Sequence, residues 1–185
     1  MKIALLCSGL GNVHRGHEVF ARDLFDLLSG TVDITLFKGG GGEATALEVV
    51  VDNIPRDAVY LDHMHLAVSP KWAGAAMEQE RLRAECVTFG YSALKPLLKG
   101  NFDVIHCLEH EVCSIIYRNR TLFKVTPKLL VSNGGAIAAR DLPQCDLVQE
   151  HSEHNLARSA RKKAFLLPHG VDIAKFRPGI ESDFR

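Results

Sequence analysis

The sequence predicts an α/β fold built on a parallel sheet flanked by helices. Three observations predict it. Short apolar runs alternate with segments of helical periodicity along the whole chain. Several of those runs are near-continuous, as in strands buried on both faces. The chain also opens with an apolar run, a glycine-rich loop and a helical pattern, which together begin a right-handed β-α-β unit.

The first strand is predicted over residues 2–7 and the loop over residues 8–16. Val19, Phe20, Leu24, Leu27 and Leu28 then recur at helical spacing, so residues 16–28 form a helix that Gly30 ends. Val32, Ile34 and Leu36 alternate with polar residues in a second strand over 31–37. The glycine run 39–42 lacks the Lys-Ser/Thr of a P-loop and reads as a flexible loop rather than a phosphate cradle. Residues 46–54 are ambiguous between strand and helix. From Trp72 a long helical pattern runs through Leu82, Cys86, Phe89, Ala93 and Leu97, and Pro96 should kink or split it. Strands follow over 101–108, 127–132 and 164–167, with a short apolar stretch at 146–149. Helices fall over 111–123 and 152–160, the latter with Ser152 as N-cap. The alternation makes the fold Rossmann-like.

The 185 residues suit one domain with a buried core. Lys plus Arg equals Asp plus Glu at 22 each, which argues against a dedicated nucleic-acid binder. Two basic clusters, Arg118, Arg120 and Lys124, and Arg158, Arg161, Lys162 and Lys163, leave peripheral contact with a membrane open. The five cysteines are odd in number, scattered and without a C-x-x-C pair, so a reducing cytoplasm is expected. No stretch has the length of a signal-peptide core or a membrane span. His63 with His65, or His106 with His110, invites a metal, but no H-E-x-x-H or acid cluster joins them, and none is expected.

In an open parallel sheet, ligands bind outside the carboxyl ends of the strands. Four loops matter: 8–16, 106–110, 133–135 and 168–172. The first carries Gly9, Gly11 and Gly16. The third glycine is late for a dinucleotide fingerprint, and the second strand ends at Phe37-Lys38 rather than at an acid, which weakens a nicotinamide oxidoreductase. A glycine-rich loop feeding a helix N-terminus either favours a negative ligand group or is only a tight turn. His106 reads as a strand-end histidine paired with a neighbouring backbone group. Asn133, Gly134 and Gly135 either admit a ligand to the backbone or make a turn.

Residues 168–172, Pro-His-Gly-Val-Asp, and 176–178, Phe-Arg-Pro, resemble the crossover segment of family 4 glycosyltransferases, where Pro-Asn-Gly-Val-Asp-x-x-x-Phe-x-Pro is common. Asp103-Val-Ile-His106 resembles that family's Asp, two apolar residues and His at a strand end. Arg15-Gly16-His17-Glu18 resembles its Gly-Gly helix start, with one glycine. The resemblance implies the N-terminal half of a GT-B two-domain architecture. Residues 1–178 would be the acceptor-side domain. Residues 168–185 would cross toward a C-terminal donor-binding domain absent from this chain. It also implies retaining transfer of a sugar from a nucleotide-diphosphate donor, the co-substrate, to a sugar, lipid or small-molecule acceptor, with no cofactor or obligatory metal. Gly11, Arg15 and Gly16 would form the donor-phosphate loop, and His106, Asn133, Gly134 and His169 the acceptor side of the cleft. The family's second histidine is Leu108 here, so Glu109 and His110 are the candidate catalytic residues. This chain alone is expected to be inactive. The alternative is a stand-alone Rossmann-like binding module, or a subunit without catalytic activity of its own.

Overall fold

The structure is a computed structural model that describes residues 1–42, 44–63, 73–135, 137, 140–159, 163–170 and 173, with backbone only for 73–76. Seven parallel strands form one sheet in the order β3-β2-β1-β4-β5-β6-β7. The strands are β1 (Lys2–Cys7), β2 (Asp33–Lys38), β3 (Glu48–Val50), β4 (Val104–Cys107), β5 (Lys128–Asn133), β6 (Leu147–Glu150) and β7 (Ala164–Leu166). The helices are α1 (Gly16–Leu28), α2 (Ala73–Gly100), α3 (His110–Arg118) and α4 (Glu153–Ser159). The fold is the Rossmann-like α/β class expected from the sequence.

Period-two alternation divides the core between the two faces of β1. Leu5 and Cys7 pack with Ala21 and Phe25 of α1, whereas Ala4 and Leu6 pack with Cys86, Phe89, Ala93 and Leu97 of α2 and Val112 and Ile116 of α3. Pro96 does not split α2, which runs unbroken to Gly100. Ala93 and Leu97 on either side of it are fully buried, and that packing keeps the last turn helical. The ambiguous stretch at 46–54 contains the three-residue edge strand β3. The helix predicted over 111–123 begins one residue earlier and stops at Arg118; a 3-10 turn at Arg120–Leu122 then delivers Phe123 to the core. Ser152 caps α4 as expected, its Oγ accepting the Asn155 N–H at 3.2 Å. Most of the crossover expected over 168–185 lies outside the described residues, as do Trp72, His65 and much of the second basic cluster.

The glycine run 39–42 is tied to the first loop rather than free. Gly40 N–H donates to the Leu10 carbonyl at 3.1 Å. Gly11 has φ +92°, and a Cβ there would fall 2.1 Å from the Gly40 carbonyl oxygen. A Cβ on Gly39 would fall 1.9 Å from the Ser8 carbonyl oxygen. Both positions therefore need glycine for backbone-to-backbone approach.

The carboxyl ends of the strands are polar and buried, and ion pairs neutralise them. Lys38, at the end of β2, donates to Glu48 at 2.8 Å, and Arg22 of α1 donates to the same carboxylate at 2.6 Å. Burial alone would raise the Glu48 carboxyl, but the bonds from Lys38 and Arg22 outweigh it and hold the pKa at about 2. Closer to the centre, Arg56 reaches Glu85 of α2 at 2.5 Å and Glu18 of α1 at 3.2 Å. Ser8 Oγ lies 3.1 Å from Glu85 and 3.2 Å from Glu109. A Cβ on Gly9 would fall 2.3 Å from Glu18 Oε1 and 2.6 Å from Arg56 Nη2, so Gly9 makes room for that pair.

Arg56→Met should leave Glu18 and Glu85 buried without their cation and cost about 3–5 kcal/mol in urea unfolding. Adding Glu85→Gln to that variant should recover part of the loss. Glu48→Gln should strand Lys38 at a similar cost. Because the folded pKa of Glu48 lies below its unfolded value of about 4.3, its stabilisation is complete above that value and fades as pH falls through about 2. The stability of the parent protein should therefore fall more steeply across that window than that of the variant.

Candidate functional site

The strand order reverses at β1, whose neighbours are β2 and β4. A crevice opens outside the carboxyl ends of the strands there, as the topology requires. It has two lobes, of about 320 Å³ and 340 Å³, which share His17, Ser132 and Gly134. Arg15, Glu18, Arg56, Glu109, His110 and Asn133 are on the first; Gly16, Phe20, His151 and His169 are on the second.

Gly16 begins α1. Arg15, at the N-cap position, makes no side-chain capping bond, and the first helical bond runs from Val19 N–H to the Arg15 carbonyl. The first-turn N–H groups therefore have no intrahelical partner, and the helix dipole leaves that end positive. A Cβ on Gly16 would meet no atom within 4 Å, so the fold itself does not require glycine there. Arg15 is exposed on the rim and pairs with Glu78 at 3.0 Å. Gly11 faces the glycine run 39–42 and lines neither lobe.

Glu109 precedes α3 and is buried. Its Oε1 accepts the Ser8 N–H at 2.8 Å, while its Oε2 is buried with no partner. Burial pushes this carboxyl above the usual range; His17 and the Ser8 bonds pull the other way without cancelling it. Burial likewise lowers His110, with His17 adding and Glu111 opposing. The pair therefore offers a carboxyl that keeps its proton to higher pH than usual beside an imidazole that stays neutral to lower pH, which suits proton traffic at a bound hydroxyl.

His106 lies under the floor rather than on the wall of either lobe. Its partner is a side chain, not the backbone group expected: Nε2 is 2.6 Å from Ser132 Oγ. Gln149 Nε2 donates to the Leu167 carbonyl at 3.0 Å, which turns Gln149 Oε1 toward Ser132, 2.9 Å away. Ser132 spends its only proton on that oxygen. The proton between His106 and Ser132 must then come from His106 Nε2, so this histidine does not activate Ser132 as a nucleophile. Burial, with His151 nearby, holds His106 down at about 4 and neutral. Asn133 donates to Glu150 Oε2 at 2.9 Å, and its own Oδ1 is buried without a partner. A Cβ on Gly134 would fall 3.8 Å from the His151 ring, in ordinary contact.

His169 lies tilted against Phe20 and His151, at ring-centroid distances of 4.1 Å and 4.0 Å. Burial lowers both histidines, His151 to about 4. Sequence reasoning singled out neither His17, which joins the lobes, nor Glu18, although both stand in the quoted helix-start motif. It also missed Ser132, Phe20 and Arg56. Arg56 sits in an irregular stretch where no periodicity marks a side chain as inward. Among the described residues, no group of three or more His, Cys, Asp or Glu could hold a metal, and no helix is long and apolar enough to cross a membrane.

No protein-family model matches the chain, and no curated protein matches it. Solved structures do. One sucrose-phosphate synthase chain from Thermosynechococcus elongatus aligns with a TM-score of 0.59 at 14% identity, covering 93% of this chain and 91% of that one. A longer chain of sucrose-phosphate synthase from the same organism gives 0.62 at 13% identity, covering 95% of this chain and 49% of that one. MurG from Acinetobacter baumannii gives 0.50 at 11% identity, covering 93% and 46%. This chain thus spans about half the length of the latter two. Identities this low establish shared fold alone, and the fold is that of GT-B glycosyltransferase neighbours.

Proposed function

We propose that this chain is the acceptor-side, N-terminal half of a retaining glycosyltransferase of the family 4 type, transferring a sugar from a nucleotide-diphosphate donor to an acceptor hydroxyl. The observation that carries the reading is Gly16. It stands at the uncapped N-terminus of a 13-residue helix, on the crevice at the topological switch point, with open space where a side chain would go. A diphosphate fits such a helix end in charge and in reach. The fold shared with GT-B neighbours supports the same reading.

In this scheme the first lobe takes the acceptor. Glu109 and His110 orient its hydroxyl and exchange its proton, while His17 stands between the acceptor and the phosphate-facing lobe. The donor's remaining contacts come from a second domain facing the crevice, in line with the sequence resemblance.

Gly16→Val, in the protein carrying both halves, should leave the melting temperature unchanged and lower transfer at least a hundredfold, because the added carbons occupy ligand space. Full activity in that variant would sink the assignment. Glu109→Gln keeps the acceptor oxygen for Ser8 but loses the titratable group. It should lower turnover by about 10²–10⁴-fold and abolish an acid limb of kcat/KM lying above the ordinary carboxyl range. Calorimetric titration of nucleotide-diphosphate sugars into this chain and into a longer product of the same gene separates the two sequence readings. Binding only by the longer product supports the half-enzyme, whereas tight binding by this chain alone supports a stand-alone binding module.

A further inference from the structure

The opposite edge of the sheet, at the amino ends of β4–β7, carries a second feature. No Asp or Glu occurs from Val112 to Arg140, while Arg118, Arg120, Lys124 and Lys128 crowd its first half. The α3–β5 connection holds this segment in a fixed shape. Phe123 is buried as an anchor, and Arg120 is pinned to the Pro127 carbonyl at 2.9 Å and to Asp146 at 2.5 Å. On either side of the anchor, Leu122 is 59% and Val125 72% exposed. Arg118, Lys124 and Lys128 are exposed around them. Leu147, also exposed, begins the neighbouring strand. The carboxylates beside the patch are engaged: Asp146 by Arg120, and Asp103 by the Lys2 N–H at 2.6 Å and the terminal ammonium.

A solvated loop has no need of two outward aliphatic side chains on a rigid turn within an acid-free cationic field. We propose that this edge docks on an anionic lipid surface, with Leu122 and Val125 entering the headgroup–acyl boundary and Arg118, Lys124 and Lys128 meeting lipid phosphates. Neither signal suffices alone: two aliphatic side chains bury little area, and exposed cations are screened by salt. Together they make the two-part anchor that reversible membrane binding requires. The six residues of β5 separate this edge from the crevice by about 20 Å. The docked protein would therefore hold its crevice away from the bilayer, facing water.

The test is sedimentation of the protein with phosphatidylcholine vesicles, with and without phosphatidylglycerol, across a salt series. The proposal expects partition onto the anionic vesicles only, weakening as salt rises. Lys124→Gln and Lys128→Gln should each lower the partition coefficient about fivefold. Leu122→Ser with Val125→Ser should lower it on the order of tenfold. Circular dichroism and melting should not change, since all four side chains are exposed. Absence of partition, equal binding to neutral vesicles, or indifference to all the variants would overturn the proposal. So would tighter retention on immobilised polyglutamate than on anionic vesicles, which would assign the edge to an acidic protein instead.

Discussion

The carboxyl edge of a parallel sheet has to be polar to hold a ligand, yet each polar group buried there is costly unless it is paired. The Arg56 guanidinium meets a central part of that demand. It is the cation between Glu18 and Glu85, and Glu85 in turn meets Ser8, which meets Glu109. Four parts of the chain meet in this cluster: the end of β1, the first turn of α1, the middle of α2 and the start of α3. Within the ion cluster, removing Arg56 leaves Glu18 and Glu85 as buried charges without their cation. The position of Glu109, and with it the floor of the first lobe, follows from this arrangement.

Much of the fold was legible because burial on both faces leaves a strong mark. Residues 2–7 and 16–28 read directly as strand and helix, and so they are. Where burial pattern and local chemistry conflicted, local chemistry misled. Pro96 argued for a kink or a split, and the split does not occur: the packing of Ala93 and Leu97 keeps one helix. Four successive glycines argued for slack, yet at Gly39 and Gly41 they let two backbones touch. Lys38 does end the second strand without an acid, as read; what the sequence did not show is its ion-pair partner Glu48, which comes from β3, ten residues on, where periodicity carried no signal.

The site was legible in location more than in wiring. The described residues of the four loops lie at one end of the sheet, as the alternation of strands and helices placed them. Which residues face the crevice depends on pairings between strands. Ser132 aligns with Gln149 and His106 with Leu130 in the sheet register. That register, and not any spacing in the sequence, turns His106 onto Ser132. His17 joins the two lobes for a similar reason: it is one residue into a helix whose rotation is set by Ala21 and Phe25 in the core.

The chain leaves the sheet through a short zipper. Gln149 holds the Leu167 carbonyl, Leu167 N–H returns to Glu150, and His169 then lies against His151 and Phe20. These contacts act in series with the Ser132–His106 bond. β6 thus ties the exit segment to the floor of the site. The Gln149 amide that holds the departing chain is therefore the same group that fixes the Ser132 proton, so the exit of the chain and the polarity of the floor share one side chain.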